Sequence, residues 1–249
     1  MPAQDQDAQD AIRDAANDYF LRSDAMARAR QLRSLDLEPF AAEQGRQWQQ
    51  LVELGWPGLL APETLGGMDL PFRSAAEFLM AAGARAAPEP TLAVTCLAAL
   101  VLKQQPSDKA KDLLTQLVNG QCVPALAWQE DHGDISPTPL SCGAEVDSKG
   151  ICIQGEKFMV QPGLLATGWI VPCRAEDDVM LIWVARGTAG VTETTVRLAD
   201  GSDTSTLRFD RAWVGQEAVL AQGESVQTSL RQALALTQIL QAAELYGGA

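Results

Sequence analysis

A change in hydrophobic periodicity near residue 120 restricts the fold of this chain more than any other feature. Before it, apolar side chains recur every three or four positions, as at Ile12, Ala16 and Phe20, a spacing typical of helices that bury one face. After it, short apolar or alternating segments are separated by turn residues, which is typical of antiparallel strands. The helical spacing returns at residues 225–245.

This order predicts an α+β protein with three parts. We expect an all-helical domain in residues 1–120, an antiparallel β-barrel or β-sandwich in residues 121–222, and one further helix in residues 223–249. Within the helical part, Pro39 is placed as in a first helical turn and Ser107 as an N-cap,. The helical and β parts are predicted to fold as two modules.

Charge and residue usage exclude several classes of function. Lys and Arg number 19 against 32 Asp and Glu, a formal net charge of −13, so nucleic-acid binding is not expected. Five cysteines without a CxxC pair favour buried, reduced thiols in a cytoplasmic protein,. One histidine, His132, cannot form a multi-histidine metal site, and no metal is predicted,. No apolar run is long enough to predict a transmembrane helix, and the acidic N-terminus is not a secretory signal.

Five short strings occur in a characteristic order. They are WQQLVELGWPGL at 48–59, APE at 61–63, LGG at 65–67, ALAWQE at 125–130 and GEKFMV at 155–160. In order and spacing these strings resemble the acyl-CoA dehydrogenase family. The resemblance covers essentially the whole chain, as an N-terminal helical domain, a middle β-domain and the first helix of a C-terminal helical bundle.

The resemblance implies an FAD-dependent oxidoreductase of lipid metabolism. Members of the family remove the α-proton of an acyl-CoA thioester, pass the β-hydride to flavin N5 and deliver electrons to an electron-transfer flavoprotein. They form oligomers, so a homo- or hetero-oligomer with another chain of the family is implied. The resemblance also implies flavin contacts on both sides of the isoalloxazine ring, from Leu126, Trp128, Gln129, Met159, Val160 and Gln161.

Two of these positions differ from the usual family residues. The family commonly has Trp where Met159 stands and Thr or Ser where Gln161 stands. A methionine can pack on a ring, and a glutamine amide can donate a hydrogen bond to its edge. Both residues are therefore retained as predicted flavin contacts.

The resemblance implies that no catalytic base lies in this chain. The family's general base is a glutamate of the C-terminal bundle, and here that bundle is expected only as its first helix, from about Ser225. We predict a truncated chain that is inactive in isolation. Glu130 is interpreted as a carboxylate that ends a strand and accepts backbone hydrogen bonds, and His132 as a surface residue.

Three functions remain open at this point. The chain is a catalytic acyl-CoA dehydrogenase seen without its last domain, a non-catalytic companion subunit of a heteromeric dehydrogenase, or a flavin monooxygenase or oxidase of the same fold. Fold alone does not separate these three chemistries.

Overall fold

The computed structural model describes residues 3–131, 133, 135–137, 140–176 and 178–249, with side chains from residue 10 onward. His132 and Asp177 lie outside the described residues. The α-helices are α1 Ala3–Arg22, α2 Ala25–Arg33, α3 Leu37–Glu53, α4 Phe72–Ala84, α5 Ala99–Lys103, α6 Asp108–Val118 and α7 Glu224–Gly248. A π-helix, Leu92–Ala98, runs directly into α5.

The helical boundaries follow local sequence signals. Pro39 lies in the first turn of α3, where its missing N–H costs no intrahelical bond,. The Ser107 hydroxyl accepts a hydrogen bond from the Ala110 amide (3.2 Å) and so caps α6,.

Helix α2 was not predicted, because it has few large apolar residues. On its inner face Arg28 is buried and forms an ion pair with Glu89, so a charged residue stands where periodicity requires an apolar one.

The strands are β1 Pro124–Leu126, β2 Gly143–Asp147, β3 Gly150–Val160, β4 Gly168–Ala175, β5 Asp178–Ala185, β6 Val191–Arg197, β7 Asp203–Val214 and β8 Val219–Gln222. They form one sheet in the order β6-β7-β3-β2-β4-β5-β8, with β1 paired to β4. The predicted order of helices, strands and a final helix is therefore confirmed.

The sheet differs from the predicted antiparallel barrel or sandwich in two respects. It is mixed, because β1 and β2 both run parallel to β4, beside its first and last residues respectively. It is also open, since β6 and β8 are the two end strands and do not pair with each other within the described residues. Strands β1 and β2 thus run in the same direction along β4, β1 beside Gly168–Ile170 and β2 beside Arg174.

Strands β4 and β5 are buried on both faces. Ile170 and Leu181 belong to the core that the helices form, whereas Val171 and Ile182 belong to a second core within the sheet. Successive side chains of a strand point to opposite faces, so two-sided burial demands the nearly continuous apolar runs seen in these strands. The helical core thus extends over one face of the sheet.

Helix α7 returns to the helical part and packs on α4. The helical spacing predicts an apolar stripe of Val226, Leu230, Leu234, Thr237, Leu240 and Leu245. The inner face of the helix buries Val226, Leu230, Thr237 and Leu240, whereas Leu245 is exposed. The axes approach closely, since a Cβ atom on Gly83 would lie 1.9 Å from the carbonyl oxygen of Glu244. No helix within the described ranges is both long enough and apolar enough to cross a bilayer.

We predict that Gly83→Ala destabilises the fold by about 1–3 kcal/mol, because the new methyl group cannot fit against α7 without displacing it. Gly45→Ala on α3 is the control, since a Cβ there meets nothing within 4 Å and alanine favours helix by up to about 1 kcal/mol. Urea unfolding followed by circular dichroism measures both. Equal stability of the two variants would contradict the close α4–α7 packing.

Candidate functional site

Two segments that the sequence assigned to flavin contact lie side by side. The Phe158 amide donates a hydrogen bond to the Gln129 carbonyl oxygen at 2.9 Å, and these residues form an isolated antiparallel bridge. On the other side, the Ala127 amide donates to the Ile170 carbonyl oxygen at 2.9 Å. Segment 126–129 is thus held between β3 and β4.

The predicted contact residues divide by exposure. Leu126 and Val160 are buried in the two cores. Trp128, Gln129 and Gln161 are partly exposed, and the side chain of Met159 is 37% exposed. The accessible groups are therefore the Trp128 indole, the Gln129 and Gln161 amides and the Met159 thioether, whereas Leu126 and Val160 are buried. Contact of any of the six residues with a flavin stays a prediction.

Met159 has a left-handed backbone, with φ at 53°. The pairing of β3 with β7 shifts register between Lys157 and Val160, so Met159 stands at an irregularity of the strand. A non-glycine residue in this conformation costs on the order of 1–3 kcal/mol and persists only where neighbouring contacts impose it. Such irregularities redirect side chains near functional sites, and this one acts on a predicted contact residue.

A buried ion pair stands directly behind the bridge. The Lys157 side chain is completely buried, and its Nζ donates to Glu130 Oε1 at 2.6 Å and to the Pro172 carbonyl oxygen at 2.7 Å. The Glu130 carboxylate also accepts the backbone amides of Ser141 and Cys142. The interpretation of Glu130 as an acceptor of backbone hydrogen bonds is confirmed.

Two cysteines adjoin this ion pair. All five cysteines are unpaired and buried, as predicted, and Cys142 Sγ lies 3.8 Å from Cys173 Sγ. The hydrogen bond between these sulfurs lowers the pKa of Cys142 below the usual thiol value. The same contact, together with burial, raises the pKa of Cys173. Sequence spacing gave no indication of this pair.

A second buried ion pair lies among the helices. Arg28 pairs with Glu89 and donates from Nε to the Ser23 carbonyl oxygen at 2.9 Å. Burial raises the pKa of Glu89 above its usual value, and the Arg28 charge opposes that rise. Burial and the nearby Glu89 carboxylate raise the pKa of Tyr19 to about 12. This cluster is part of the helical core and does not adjoin the predicted flavin segments in sequence.

The side chains that hold the 161–166 loop, which follows β3, were not predicted. Arg186 donates hydrogen bonds to backbone carbonyls of the loop, and Asp203 accepts one from the Leu164 amide. A signal was present for Arg186, which directly follows the apolar run Val179–Ala185 of β5. A buried charge in such a position needs a partner.

We predict that Lys157→Met costs about 3–5 kcal/mol of folding stability, because it leaves the Glu130 carboxylate buried without its cation. The double variant Lys157→Met/Glu130→Gln should regain part of this loss. Lys149→Met is the control, since Lys149 is exposed in the β2–β3 turn, and should change stability by no more than about 0.5 kcal/mol. Urea unfolding decides, and a single variant as stable as its control would refute a structural role for the pair.

Comparison with known proteins gives a consistent family likeness. Residues 6–121 match the family described as acyl-CoA dehydrogenase, N-terminal domain. The chain is 27% identical over 194 residues to the mitochondrial isovaleryl-CoA dehydrogenase of Oryza sativa subsp. japonica, an alignment covering 70% of this chain and 46% of that protein. The chain spans about half the length of the curated relatives it matches.

Solved structures share the fold at lower identity. The acyl-CoA dehydrogenase complexed with FAD from Bacillus anthracis superposes with a TM-score of 0.85 at 19% identity, covering 97% of this chain and 42% of that one. The ChsE4–ChsE5 complex from Mycobacterium tuberculosis superposes with a TM-score of 0.78 at 21% identity, covering 94% and 62%. The helical part, the mixed sheet and the final helix are therefore those of a known architecture.

Proposed function

Since this chain belongs to the acyl-CoA dehydrogenase family, we propose that it forms part of an FAD-dependent enzyme that oxidises an acyl-CoA thioester at its α and β carbons. The observation that carries the proposal is the hydrogen-bonded bridge between Gln129 and Phe158. It brings together the two segments whose sequence resembles the flavin-contacting strands of the family. Bound FAD would supply the hydride acceptor, and an electron-transfer flavoprotein would receive the electrons.

The residues at this bridge fit a flavin ring. Trp128 and Met159 offer partly exposed, polarizable surfaces that can pack on an aromatic system,. Gln161 is partly exposed, and its amide makes no hydrogen bond with any residue in the described ranges. An amide in this state can donate to and accept from the polar edge of the ring. The FAD complex of the Bacillus anthracis relative supports the same cofactor.

We propose that the general base is supplied from outside these 249 residues. Removal of an α-proton requires a carboxylate within hydrogen-bond reach of the carbon. Glu130 is the carboxylate next to the bridge, but it already accepts hydrogen bonds from Lys157, Ser141 and Cys142. Both carboxylate oxygens are therefore already engaged by donors of this chain. Further sequence of the same polypeptide or a partner chain would supply the group.

A second candidate is a companion subunit in a hetero-oligomer of the family. Helix α7 exposes three large apolar side chains, with Ile239 57%, Leu245 68% and Tyr246 77% exposed. Exposed apolar groups on one helix are consistent with burial against another chain. The similar ChsE4–ChsE5 structure is a complex of two proteins. A flavin monooxygenase or oxidase of the same fold is the remaining alternative.

We predict that FAD binding by the isolated chain is weak or absent, and that whatever binding remains depends on the two amides. Gln129→Leu and Gln161→Leu should each cost about 1–3 kcal/mol of binding free energy, because each removes a buried hydrogen bond to the ring edge. Gln154→Leu is the matched control, since Gln154 is exposed on β3. Flavin fluorescence titration measures all three, and equal affinities for parent and variants would reject the assigned contacts.

We also predict that the isolated chain does not oxidise acyl-CoA when FAD is in excess. Loss of general-base catalysis alone lowers the rate by about 10²–10⁴. Dye-linked reduction with a panel of acyl-CoAs is the measurement, and Glu130→Gln is the diagnostic variant. Turnover that this variant abolishes would assign the base to Glu130 and contradict the proposal. Activity that appears only on addition of another dehydrogenase chain would support the companion subunit.

A further inference from the structure

The 161–166 loop, which joins β3 to β4, is fixed by side chains from other strands. Arg186, directly after β5, donates to the carbonyl oxygens of Gly163 at 2.8 Å, Leu164 at 2.6 Å and Ala166 at 2.7 Å. One side chain therefore satisfies three carbonyls within four consecutive residues. A loop with its own backbone pairing would not need such a partner.

The Arg186 guanidinium has no unused donor. Its Nε donates to Glu193 Oε2 at 2.9 Å, and one Nη2 proton goes to Glu193 Oε1. With the three carbonyls, five N–H groups meet five acceptors, which is the full capacity of the side chain. Glu193 Oε1 also accepts the Ser205 hydroxyl at 2.7 Å. Because any rotation of the planar group breaks several of these bonds, it holds one geometry.

A buried carboxylate fixes the loop from a second direction. Asp203 is 2% exposed, and its Oδ2 accepts the Leu164 amide at 2.5 Å. Its Oδ1 accepts the Gln44 amide of α3 at 3.0 Å. The fit leaves no free space, since a Cβ atom on Gly163 would lie 2.7 Å from Asp203 Oδ2. The loop is thus held between β5, β7 and a helix.

We propose that Arg186 is a positioning residue for the flavin-contact surface. By fixing the 161–166 loop at its carbonyls, it holds Gln161, the first residue of the loop, in one orientation at the end of β3, the strand whose Phe158 pairs with Gln129. Arg186 itself does not touch the ring in this proposal. The fixing of the loop stands on the hydrogen bonds alone, whereas the effect on flavin binding rests on the proposed function.

The test compares Arg186→Lys and Arg186→Gln with the parent chain and with Arg208→Lys. Arg208 is an exposed arginine of β7 whose contact with Glu156 is 3.9 Å long, so it controls for the loss of a guanidinium. Hydrogen exchange of the amides in residues 160–167 reports on the loop. Titration with FAD, followed by flavin fluorescence, reports on the surface.

We expect both Arg186 variants to exchange the Leu164 amide at least about tenfold faster and to bind FAD at least about tenfold more weakly. Lysine should not rescue, because an ammonium has three donors and cannot serve five acceptors in a plane. Arg208→Lys should stay within about twofold of the parent in both measurements. If the Arg186 variants do not fold, Glu193→Gln, which removes the charge and keeps one acceptor oxygen, should show smaller changes in the same direction.

The outcomes separate this proposal from the proposed function. If Arg186→Lys keeps both the exchange rate of the Leu164 amide and the FAD affinity within about twofold of the parent, the positioning role of Arg186 is overturned. Faster exchange with unchanged FAD affinity would overturn the link to the flavin and leave the proposed function intact. A parent chain that binds no FAD would overturn the link between the loop and FAD affinity in this chain but not the proposed function, in which further polypeptide completes the site, and the exchange data would then decide the fixing of the loop by themselves.

Discussion

The arrangement of the candidate site depends on the buried ammonium of Lys157. An enclosed ammonium is stable only with an anionic partner and further acceptors, and here Glu130 and the Pro172 carbonyl supply them. Glu130 directly follows Gln129, and Lys157 directly precedes Phe158. The ion pair and the backbone hydrogen bond of the bridge are therefore adjacent, and each fixes the register of the other.

The second constraint is the two-sided burial of β4 and β5. One face of these strands belongs to the helical core and the other to the core of the sheet. Helix α7 joins the helical core by packing on α4. The proposed division at residues 120 and 222 follows the change in secondary structure, but the helical core crosses both points. The helical part and the sheet therefore contribute to each other's stability.

The sequence predicted elements that depend on local signals and missed those that depend on distant partners. Helix α6 was predicted because Ser107 caps it and its apolar face is regular. Helix α2 was missed because buried Arg28 is paired with Glu89, 61 residues away. The parallel pairing of β1 with β4 has no local signal either, since its partners lie 44 residues apart in the sequence, as in Pro124 and Gly168. The two flavin segments were assigned by resemblance, and their adjacency needed the structure.

The proposed reaction has two requirements, a surface that holds the flavin ring and a base that removes the α-proton, and the described residues meet only part of the first. Holding a planar ring needs a rigid surface with polar groups at its edge, and the Gln129–Phe158 bridge and the Arg186 hydrogen bonds meet the requirement for rigidity. Removing a proton needs a carboxylate oxygen within hydrogen-bond reach of the carbon, whereas the Glu130 oxygens already accept hydrogen bonds from Lys157, Ser141 and Cys142. The ion pair that orders the bridge is the same one that occupies the nearest carboxylate. Order at the bridge and engagement of the Glu130 carboxylate thus have one physical cause, which supports the proposal that the base comes from a different segment of polypeptide.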